Sequence, residues 1–218
     1  MRTIVVSDLH LTSRFNYKKY LYLEKLFSSA DRIILNGDIW DGHLVNFDQF
    51  VRSDWKKLFP LLKAKETIYL YGNHDKKQLS DENVTLFSNI QAEKYTISEY
   101  KINIHIQHGN KIAPALNERH KWMPANRIIF KVVQILFLKI PLKILGKKFF
   151  KINKKRNNLM ISWREKKLPK NDFLICSHSH LAELNLAKRY ANSGFIGHGY
   201  SQYIKITGKK MILVDERY

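Results

Sequence analysis

The chain has 218 residues, of which 44% are hydrophobic and 26% charged, and its 38 Lys and Arg against 19 Asp and Glu give a net charge of +19. This length and composition predict one globular domain, residues 1–218, and exclude a disordered or collagen-like chain. The single cysteine, Cys176, excludes an internal disulfide framework and a four-cysteine zinc module.

Five short apolar runs each end in polar, chemically capable residues. Short apolar runs bounded by glycine or polar residues are typical of buried strands. The first run meets Asp8 so early that no signal peptide is expected, which favours a cytoplasmic location. The runs are residues 3–6, 32–35, 67–71, 102–106 and 173–176.

Segments 17–29 and 47–63 place apolar residues at helical spacing between the first of these strands. Such alternation of strands and helices indicates an α/β sheet whose ligands gather at the carboxyl ends of the strands. Near the end of the chain, runs 203–207 and 211–214 flank a glycine and two lysines, which predicts a hairpin. We therefore expect a mixed α/β sandwich rather than a purely parallel sheet.

Residues 111–170 carry most of the charge. They hold 17 Lys and Arg against two acidic residues, a net charge of +15, so the other 158 residues carry only +4. Residues 127–138 are strongly apolar, but with the flanking lysines the stretch is about 15 residues, short of the ~20 needed to span a bilayer. Six basic residues follow in 147–156. This pattern predicts a helical insertion, or cap, between two core strands.

Seven residues at the predicted strand ends could bind metal. Their donors are carboxylates, an amide oxygen and imidazoles, a set that suits Mn²⁺, Fe²⁺ or Zn²⁺. Residues at i and i+2 of a strand share a face, so each Asp-x-His or His-x-His pair could hold one ion. Seven ligands are too many for one ion but suit two ions with a bridging carboxylate. The candidates are Asp8, His10, Asp38, Asn73, His108, His178 and His180.

Each short motif is weak evidence alone, but their joint order resembles the calcineurin-like metallophosphoesterase superfamily. The matching motifs are Asp8-Leu9-His10, Gly37-Asp38, Gly72-Asn73-His74-Asp75, His108-Gly109 and Ser177-His178-Ser179-His180. Ser177 departs from the pattern, because the family usually has glycine there.

The resemblance implies a four-layer α/β/β/α sandwich and a hydrolase that cleaves a phosphoester or phosphoanhydride by metal-bound hydroxide. It implies one metal ion on Asp8, His10, Asp38 and His180, and a second on Asp38, Asn73, His108 and His178, with Asp38 bridging. His74 would contact the phosphate and either protonate the leaving oxygen or stabilise its charge, with Asp75 orienting its imidazole. We expect two divalent ions, manganese first, with iron or zinc as alternatives.

Within the superfamily, the layout is similar to the UDP-2,3-diacylglucosamine pyrophosphohydrolases of lipid A synthesis, which carry a basic, partly apolar cap at the same place. A cap of this composition would cover acyl chains and attract phosphates and an anionic membrane surface. This predicts a nucleotide-linked glycolipid as substrate and a peripheral position on the inner membrane face. Asn73, Lys154, Lys155 and Arg156 are the candidate substrate contacts.

Three alternatives stay open at this stage. The same charge would attract nucleic acid, and aromatics among the lysines, such as Phe149 and Phe150, could stack bases, as in a nuclease of this superfamily. The insertion could instead only pack on the core, with its lysines solvated. A scaffold without activity is the third alternative, but such proteins tend to lose ligands or the catalytic histidine, and all are present here.

Overall fold

In the computed structural model, the described residues are 1–99, 102–115, 132, 136, 138 and 140–218. They form two sheets with both parallel and antiparallel strand pairs, which confirms the predicted mixed α/β fold. In chain order the strands are β1 (Arg2–Val6), β2 (Arg32–Asn36), β3 (Ile68–Leu70), β4 (Ile90–Ala92), β5 (Lys94–Glu99), β6 (Ile102–Gln107), β7 (Phe173–Cys176), β8 (Glu183–Asn185), β9 (Tyr190–Asn192), β10 (Ile196–Gly197), β11 (Tyr200–Thr207) and β12 (Lys210–Arg217).

The first sheet has the order β10–β11–β1–β2–β3–β4, and β12 also pairs with β11. Strands β1 to β4 run parallel, whereas β11 runs antiparallel to β1 and forms the predicted hairpin with β12. The second sheet has the order β5–β6–β7–β9–β8, with β6, β7 and β9 parallel. The carboxyl ends of β1, β2 and β3 therefore share one edge of the first sheet, and those of β6 and β7 share one edge of the second.

Both faces of the central strands are buried. In β1, Ile4 and Val6 belong to the core under the helices, whereas Val5 belongs to the core between the two sheets. The strand therefore reads as a continuous apolar run, because alternate residues face two different apolar layers.

Helices cover the outer face of each sheet. Helices α1 (Tyr17–Ser28), α2 (Phe47–Arg52) and α3 (Phe59–Ala64) contribute to the core on the first sheet. On the other side, α4 (Ile140–Leu145), a 3₁₀ helix (Gly146–Asn153) and α5 (Lys154–Lys167) form the described part of the insertion. Met160 of α5 packs against Leu174 and Tyr190 of the second sheet, which completes the helix–sheet–sheet–helix order.

The prediction of one helix over residues 47–63 is wrong. The backbone is extended at Ser53, where φ is −68° and ψ is 168°, so α2 ends there. A 3₁₀ helix (Asp54–Leu58) follows, and α3 begins with Pro60 in its first turn. Proline suits a first turn because its missing N–H would have no partner within the helix.

The apolar stretch 127–138 lies outside the described residues except for Val132, Leu136 and Leu138, so the prediction made for it stays a prediction. None of the helices in the described parts of the chain is long and apolar enough to cross a bilayer.

Lys19 of α1 is a buried lysine beside the loop that follows β1. Its Nζ donates to the carbonyl oxygens of Leu9, at 2.7 Å, and of Ile196, at 2.8 Å. Burial lowers the pKa of the Lys19 amine to about 7. The neutral amine still has two N–H groups, which is enough for both hydrogen bonds.

The stability of the protein should therefore rise with pH through this residue. Between pH 7 and 10 the unfolded chain holds the Lys19 proton more firmly than the folded chain, so raising the pH favours folding. Compared with Lys19→Met, the wild-type free energy of unfolding should gain about 3 kcal/mol over this range. Chemical denaturation of both proteins at several pH values measures the difference. A difference that does not change with pH would show that Lys19 stays charged when folded.

Candidate metal centre

The seven predicted ligands lie just beyond the carboxyl ends of strands, and most have an unusual backbone. Five of them have φ between 44° and 65°, in the left-handed region: Asp8, His10, Asp38, His178 and His180. For a residue with a Cβ this conformation costs roughly 1–2 kcal/mol, and it persists only where the surrounding structure imposes it. Backbone strain at five neighbouring positions indicates a functional site.

The first group consists of Asp8, His10 and His180. Nε2 of His180 lies 3.0 Å from Oδ1 of Asp8, and Nε2 of His10 lies 3.9 Å from the same oxygen. The Nε2 atoms of the two histidines are 3.4 Å apart. Three donor atoms from the ends of β1 and β7 therefore meet across the gap between the sheets.

The second group consists of Asp38, His108 and His178, with Asn73 beside them. Nε2 of His108 lies 3.3 Å from Oδ2 of Asp38 and 3.0 Å from Oδ1 of Asn73. His178 and His180 thus join different groups, as the family resemblance implies, although the i, i+2 spacing allowed them to share one ion. Both residues lie beyond β7 with left-handed backbones, so the rule for residues on a strand does not decide their grouping.

Asp38 lies between the two groups. Its Oδ2 is 3.3 Å from Nε2 of His108 and 3.9 Å from Nε2 of His10. Its Oδ1 accepts a hydrogen bond from the backbone N–H of His74 at 2.8 Å, which fixes the orientation of the carboxylate. One oxygen facing both groups is the arrangement that a bridging ligand requires.

These residues fit two divalent metal ions. Within the described part of the chain, the buried Oδ1 of Asp8 accepts no hydrogen bond of good geometry, although Nε2 of His180 is close. Donor atoms that share an ion at about 2.0–2.2 Å lie roughly 3–3.5 Å from each other. The distances from His180 to Asp8 and to His10, and from His108 to Asp38, fall in this range, whereas His10 lies 3.9 Å from Asp8. Carboxylate, amide and imidazole donors suit manganese, iron or zinc.

The electrostatics of the site favour cations. Burial alone would lower the pKa of His108, but the carboxylate of Asp38 outweighs burial and raises it to about 10. Burial would raise the pKa of Asp38, yet the positive charges of His108 and His74 hold it well below its usual range. In contrast, burial and the neighbouring His108 lower the pKa of His178 to about 3, so this imidazole is neutral and able to bind metal.

Ser177 helps to orient His108. Nδ1 of His108 lies 2.9 Å from the carbonyl oxygen of Asn36 and 2.9 Å from Oγ of Ser177, which leaves Nε2 directed at Asp38 and Asn73. Ser177 has a negative φ, so glycine is not needed at this turn. The departure from the family motif is therefore tolerated, and it adds a hydroxyl beside a candidate ligand.

Asp41 is a residue of the site that the sequence analysis missed. Its Oδ1 lies 3.0 Å from Nδ1 of His74, and its Oδ2 lies 3.6 Å from Nδ1 of His10. Burial would lower the pKa of His74, but Asp38 and Asp41 raise it to about 9. Asp41 therefore orients the His74 imidazole and stabilises its protonated form.

The expectation that Asp75 orients the His74 imidazole is wrong. The Asp75 carboxylate accepts three backbone N–H groups, from Asp38 at 2.9 Å, Ile39 at 2.7 Å and Gly72 at 2.7 Å. Burial and the charge of Asp38 raise the pKa of Asp75 to about 6. Its role is to hold the loop after β2 against the loop after β3.

Gly72 is required by the close approach of these loops. A Cβ at this position would lie 2.2 Å from Oδ1 of Asp38 and 2.6 Å from the backbone nitrogen of the same residue. Any side chain here would displace the central carboxylate of the site.

Residues 1–213 match the family described as calcineurin-like phosphoesterase. The chain belongs to this family. Its members use divalent metals, and the protein is a phosphoester hydrolase of the metallophosphoesterase type. The finer resemblance to the lipid A pyrophosphohydrolases is not confirmed by this match.

Solved structures with a similar fold include Yfce, a phosphoesterase from E. coli, at a TM-score of 0.50 and 17% identity, covering 97% of this chain and 91% of that one. A novel archaeal phosphodiesterase has a TM-score of 0.49 and 15% identity, with 99% of each chain covered. Vps29 from Entamoeba histolytica, complexed with zinc, has a TM-score of 0.49 and 14% identity, with 99% of each chain covered. At these identities the likeness to Yfce shows the fold alone. No curated protein matches the chain.

A cleft of about 210 Å³ opens beside the candidate ligands. Part of its lining is the metal-binding side, including Asp38, Asn73, His74, His178 and His180. The rest comes largely from the insertion, with Leu138, Phe149, Phe150, Ile152, Asn153 and Arg156.

The structure separates the three basic residues predicted as substrate contacts. Arg156 lines the cleft. Lys154 instead pairs with Glu183, at 2.7 Å, and Lys155 is exposed and is not part of the cleft lining. They differ because successive residues of α5 point in different directions. Asn73 lines the cleft as well as facing His108, so it remains a candidate for both roles.

Proposed function

We propose that this protein is a dimetal phosphohydrolase whose substrate joins a pyrophosphate or phosphodiester to an acylated group, such as UDP-2,3-diacylglucosamine. The observation that carries the proposal is the composition of the cleft. Its lining combines candidate metal ligands with the apolar side chains of Leu138, Phe149 and Ile152 and with one arginine, Arg156. A purely ionic substrate would not need apolar side chains in this lining.

The size of the cleft decides how much of the substrate it holds. The cleft volume of about 210 Å³ lies below the roughly 300–1,000 Å³ of pockets that enclose a drug-sized ligand. The cleft would therefore hold the phosphate and the first part of its ester, and acyl chains would extend along exposed apolar residues of the insertion. These are Val132, Leu136, Ile140, Ile144, Leu145 and Ile152.

The charge of the same surface fits an anionic membrane on the inner, cytoplasmic side. Residues 140–156 hold seven basic residues and no acidic ones. Ile144 and Ile152 are 74% and 69% exposed among these lysines. Each basic residue close to an anionic surface contributes about 1 kcal/mol, and each buried methylene about 0.8 kcal/mol.

In the reaction, the protein's own groups would hold the phosphate and manage a proton. The two divalent ions, when bound, supply Lewis acidity at the phosphate and lower the pKa of water. Asn73 and Arg156, which both line the cleft, would bind the phosphate oxygens. Nε2 of His74, 4.0 Å from Oδ2 of Asp38, would donate a proton to the leaving oxygen while Asp41 holds Nδ1.

The nucleic-acid alternative loses one of the two aromatic residues named for base stacking. Phe150 is buried, with its ring 5.1 Å from that of His180 and 4.8 Å from that of Phe195, so it is not available to stack on a base. Phe149 is half-buried beside it. The basic charge and the cleft-lining ring of Phe149 remain in favour of a nuclease.

A substrate comparison tests the proposal. With Mn²⁺ present, the enzyme should hydrolyse UDP-2,3-diacylglucosamine with a kcat/KM well above those for its deacylated form, single-stranded DNA and bis-p-nitrophenyl phosphate. Ile152→Ser should raise KM for the acylated substrate roughly tenfold, because an apolar contact in the cleft is lost, and leave the deacylated substrate unaffected.

Leu186→Ser is the matched control, since Leu186 is exposed but lies outside the insertion and is not part of the cleft lining. It should change neither KM for the acylated substrate nor binding to phosphatidylglycerol vesicles. Ile144→Ser, on the exposed apolar surface of the insertion, should weaken vesicle binding without changing KM for soluble phosphodiesters. Digestion of DNA with no activity on the acylated substrate would overturn the substrate assignment and favour the nuclease alternative.

A further inference from the structure

A fully buried asparagine of the insertion contacts the loop that carries two candidate metal ligands. Asn157, in the first turn of α5, has no exposed surface. The loop consists of residues 177–180 and follows β7, and it contains His178 and His180. Each donor and acceptor of the Asn157 amide has a partner on this loop or beside it.

The Asn157 side chain accepts two hydrogen bonds and donates two. Oδ1 of Asn157 accepts from Oγ of Ser179 at 2.7 Å and from Nδ2 of Asn192 at 3.2 Å. Nδ2 of Asn157 donates to the carbonyl oxygen of Leu181 at 3.0 Å and to Oε2 of Glu183 at 2.8 Å. One amide thus contacts the loop at Ser179, the residue between the two histidines, and directly after it.

Two further asparagines hold the same loop. Nδ2 of Asn192 donates to the carbonyl oxygen of Ser177 at 2.8 Å and to Oγ of Ser179 at 3.0 Å. Nδ2 of Asn153, also from the insertion, donates to the carbonyl oxygen of Ser179 at 2.8 Å. Ser177, Ser179 and Asn192 are all fully buried, so these bonds are shielded from competing water.

The loop needs such support because its backbone is strained. His178 and His180 have φ of 65° and 56°, and each left-handed residue costs roughly 1–2 kcal/mol. Without fixed partners, the loop would relax to other conformations in which the two imidazoles point away from Asp8 and Asp38. Buried hydrogen bonds to groups on both sides of Ser179 oppose that relaxation.

We propose that Asn157 is a positioning residue for both metal ions, acting through Ser179 on His178 and His180. The proposal rests on the metal centre of the proposed function. It also gives the insertion a second role, because α5 belongs to the segment that lines the substrate cleft. The segment that contacts the substrate is then part of the support of the metal ligands and cannot be removed without disturbing them.

Mn²⁺ binding to the full chain tests this proposal. Asn157→Leu should weaken Mn²⁺ affinity 10- to 100-fold, as is usual when groups that orient metal ligands are lost. Both ions should be affected, because the loop supplies a ligand to each group. Isothermal titration gives the affinities, and the EPR signal of spin-coupled Mn²⁺ pairs reports whether the second ion is still in place.

Arg164→Met is the matched control. Arg164 lies on the same helix, is buried, and donates to the carbonyl oxygens of Pro169, Lys170 and Asp172, away from the ligand loop. This variant should lower the melting temperature but leave Mn²⁺ affinity within about twofold. A loss of affinity equal to that of Asn157→Leu would mean a general effect of destabilisation and would overturn the proposal.

Ser179→Ala is a smaller change that removes only the hydroxyl of the loop, and it serves if Asn157→Leu does not fold. It should weaken Mn²⁺ binding, and the loss in the Asn157→Leu/Ser179→Ala double variant should be smaller than the sum of the two single losses, because both changes remove the same Asn157–Ser179 hydrogen bond. Wild-type affinity in Ser179→Ala would overturn the positioning role by itself. Two bound Mn²⁺ ions without any phosphoester hydrolysis would overturn the proposed function and leave the positioning role standing.

Discussion

Asp38→Ala should abolish binding of the metal pair and reduce phosphoester hydrolysis by roughly 10³-fold or more. Oδ2 of Asp38 faces histidines of both groups, at 3.3 Å from His108 and 3.9 Å from His10. Its loss removes a ligand from each ion and the charge that keeps both close together. Metal catalysis contributes several kcal/mol to phosphoryl transfer, and each 1.4 kcal/mol is a factor of ten.

Metal content of the purified variant, Mn²⁺ titration and steady-state rates on a phosphodiester measure these effects, with circular dichroism as the check on folding. Asp172→Asn is the control. Asp172 also pairs with a histidine of β6, since its Oδ2 lies 2.8 Å from Nε2 of His105, but neither residue is in the candidate metal groups. The control should keep both metal ions and near wild-type turnover. Near-normal turnover in metal-loaded Asp38→Ala would contradict the dimetal mechanism.

The positions of the candidate ligands could be predicted from the sequence because strand ends are visible in it. In an α/β sheet, parallel strands present their carboxyl ends at one edge, so polar residues that follow apolar runs come together there. Asp8 and Asp38 follow neighbouring parallel strands, and the backbone N–H of His178 reaches Oδ2 of Asp8 from the second sheet at 3.3 Å. The apolar runs and their order along the chain are enough to predict which residues meet at the site.

The different roles of Asp41 and Asp75 could not be predicted from strand ends. The family resemblance implied that Asp75, which adjoins His74 in the chain, orients its imidazole. In the fold, Asp75 turns to three backbone N–H groups, and Asp41 reaches His74 from another loop. The spacing of Asp38 and Asp41 within one loop was the available signal, but adjacency in sequence says little about direction once a loop leaves its strand.

Short strands and helix breaks also could not be predicted from the hydrophobic pattern. β4, β8 and β10 have three residues or fewer, too short for an alternating pattern to emerge. The break at Ser53 depends on a single extended residue within a stretch of otherwise helical spacing. Tertiary packing decides such features, because a few residues can adopt either conformation at little cost.

For the insertion, too, the sequence predicts only part of the function. Its charge and apolar residues are visible in the composition, and they predict a cap over the substrate. The contacts of Asn157 and Asn153 with the ligand loop are not visible in the composition, because a polar residue in a basic segment is usually assigned to the solvated surface. Deleting residues 125–156 would remove Asn153 along with the apolar surface, so point variants separate substrate binding from metal positioning.

His74→Ala should leave both metal ions bound and slow the chemical step by roughly 10²–10⁴-fold, in a way that depends on the leaving group. Nε2 of His74 faces the cleft while Nδ1 is held by Asp41, which suits proton donation to a departing alkoxide. p-Nitrophenolate needs no proton to leave, so the variant should be much less impaired on p-nitrophenyl esters than on alkyl esters.

Asp41→Asn should show the same dependence on the leaving group to a smaller extent, and the double variant should be no slower than His74→Ala, because the two residues act as a unit. His105→Ala, which breaks the His105–Asp172 pair on the same sheet as His108, should change neither rate. An equal loss on both kinds of ester would exclude proton donation. His74 would then act by stabilising charge on the phosphate, which develops whichever group departs.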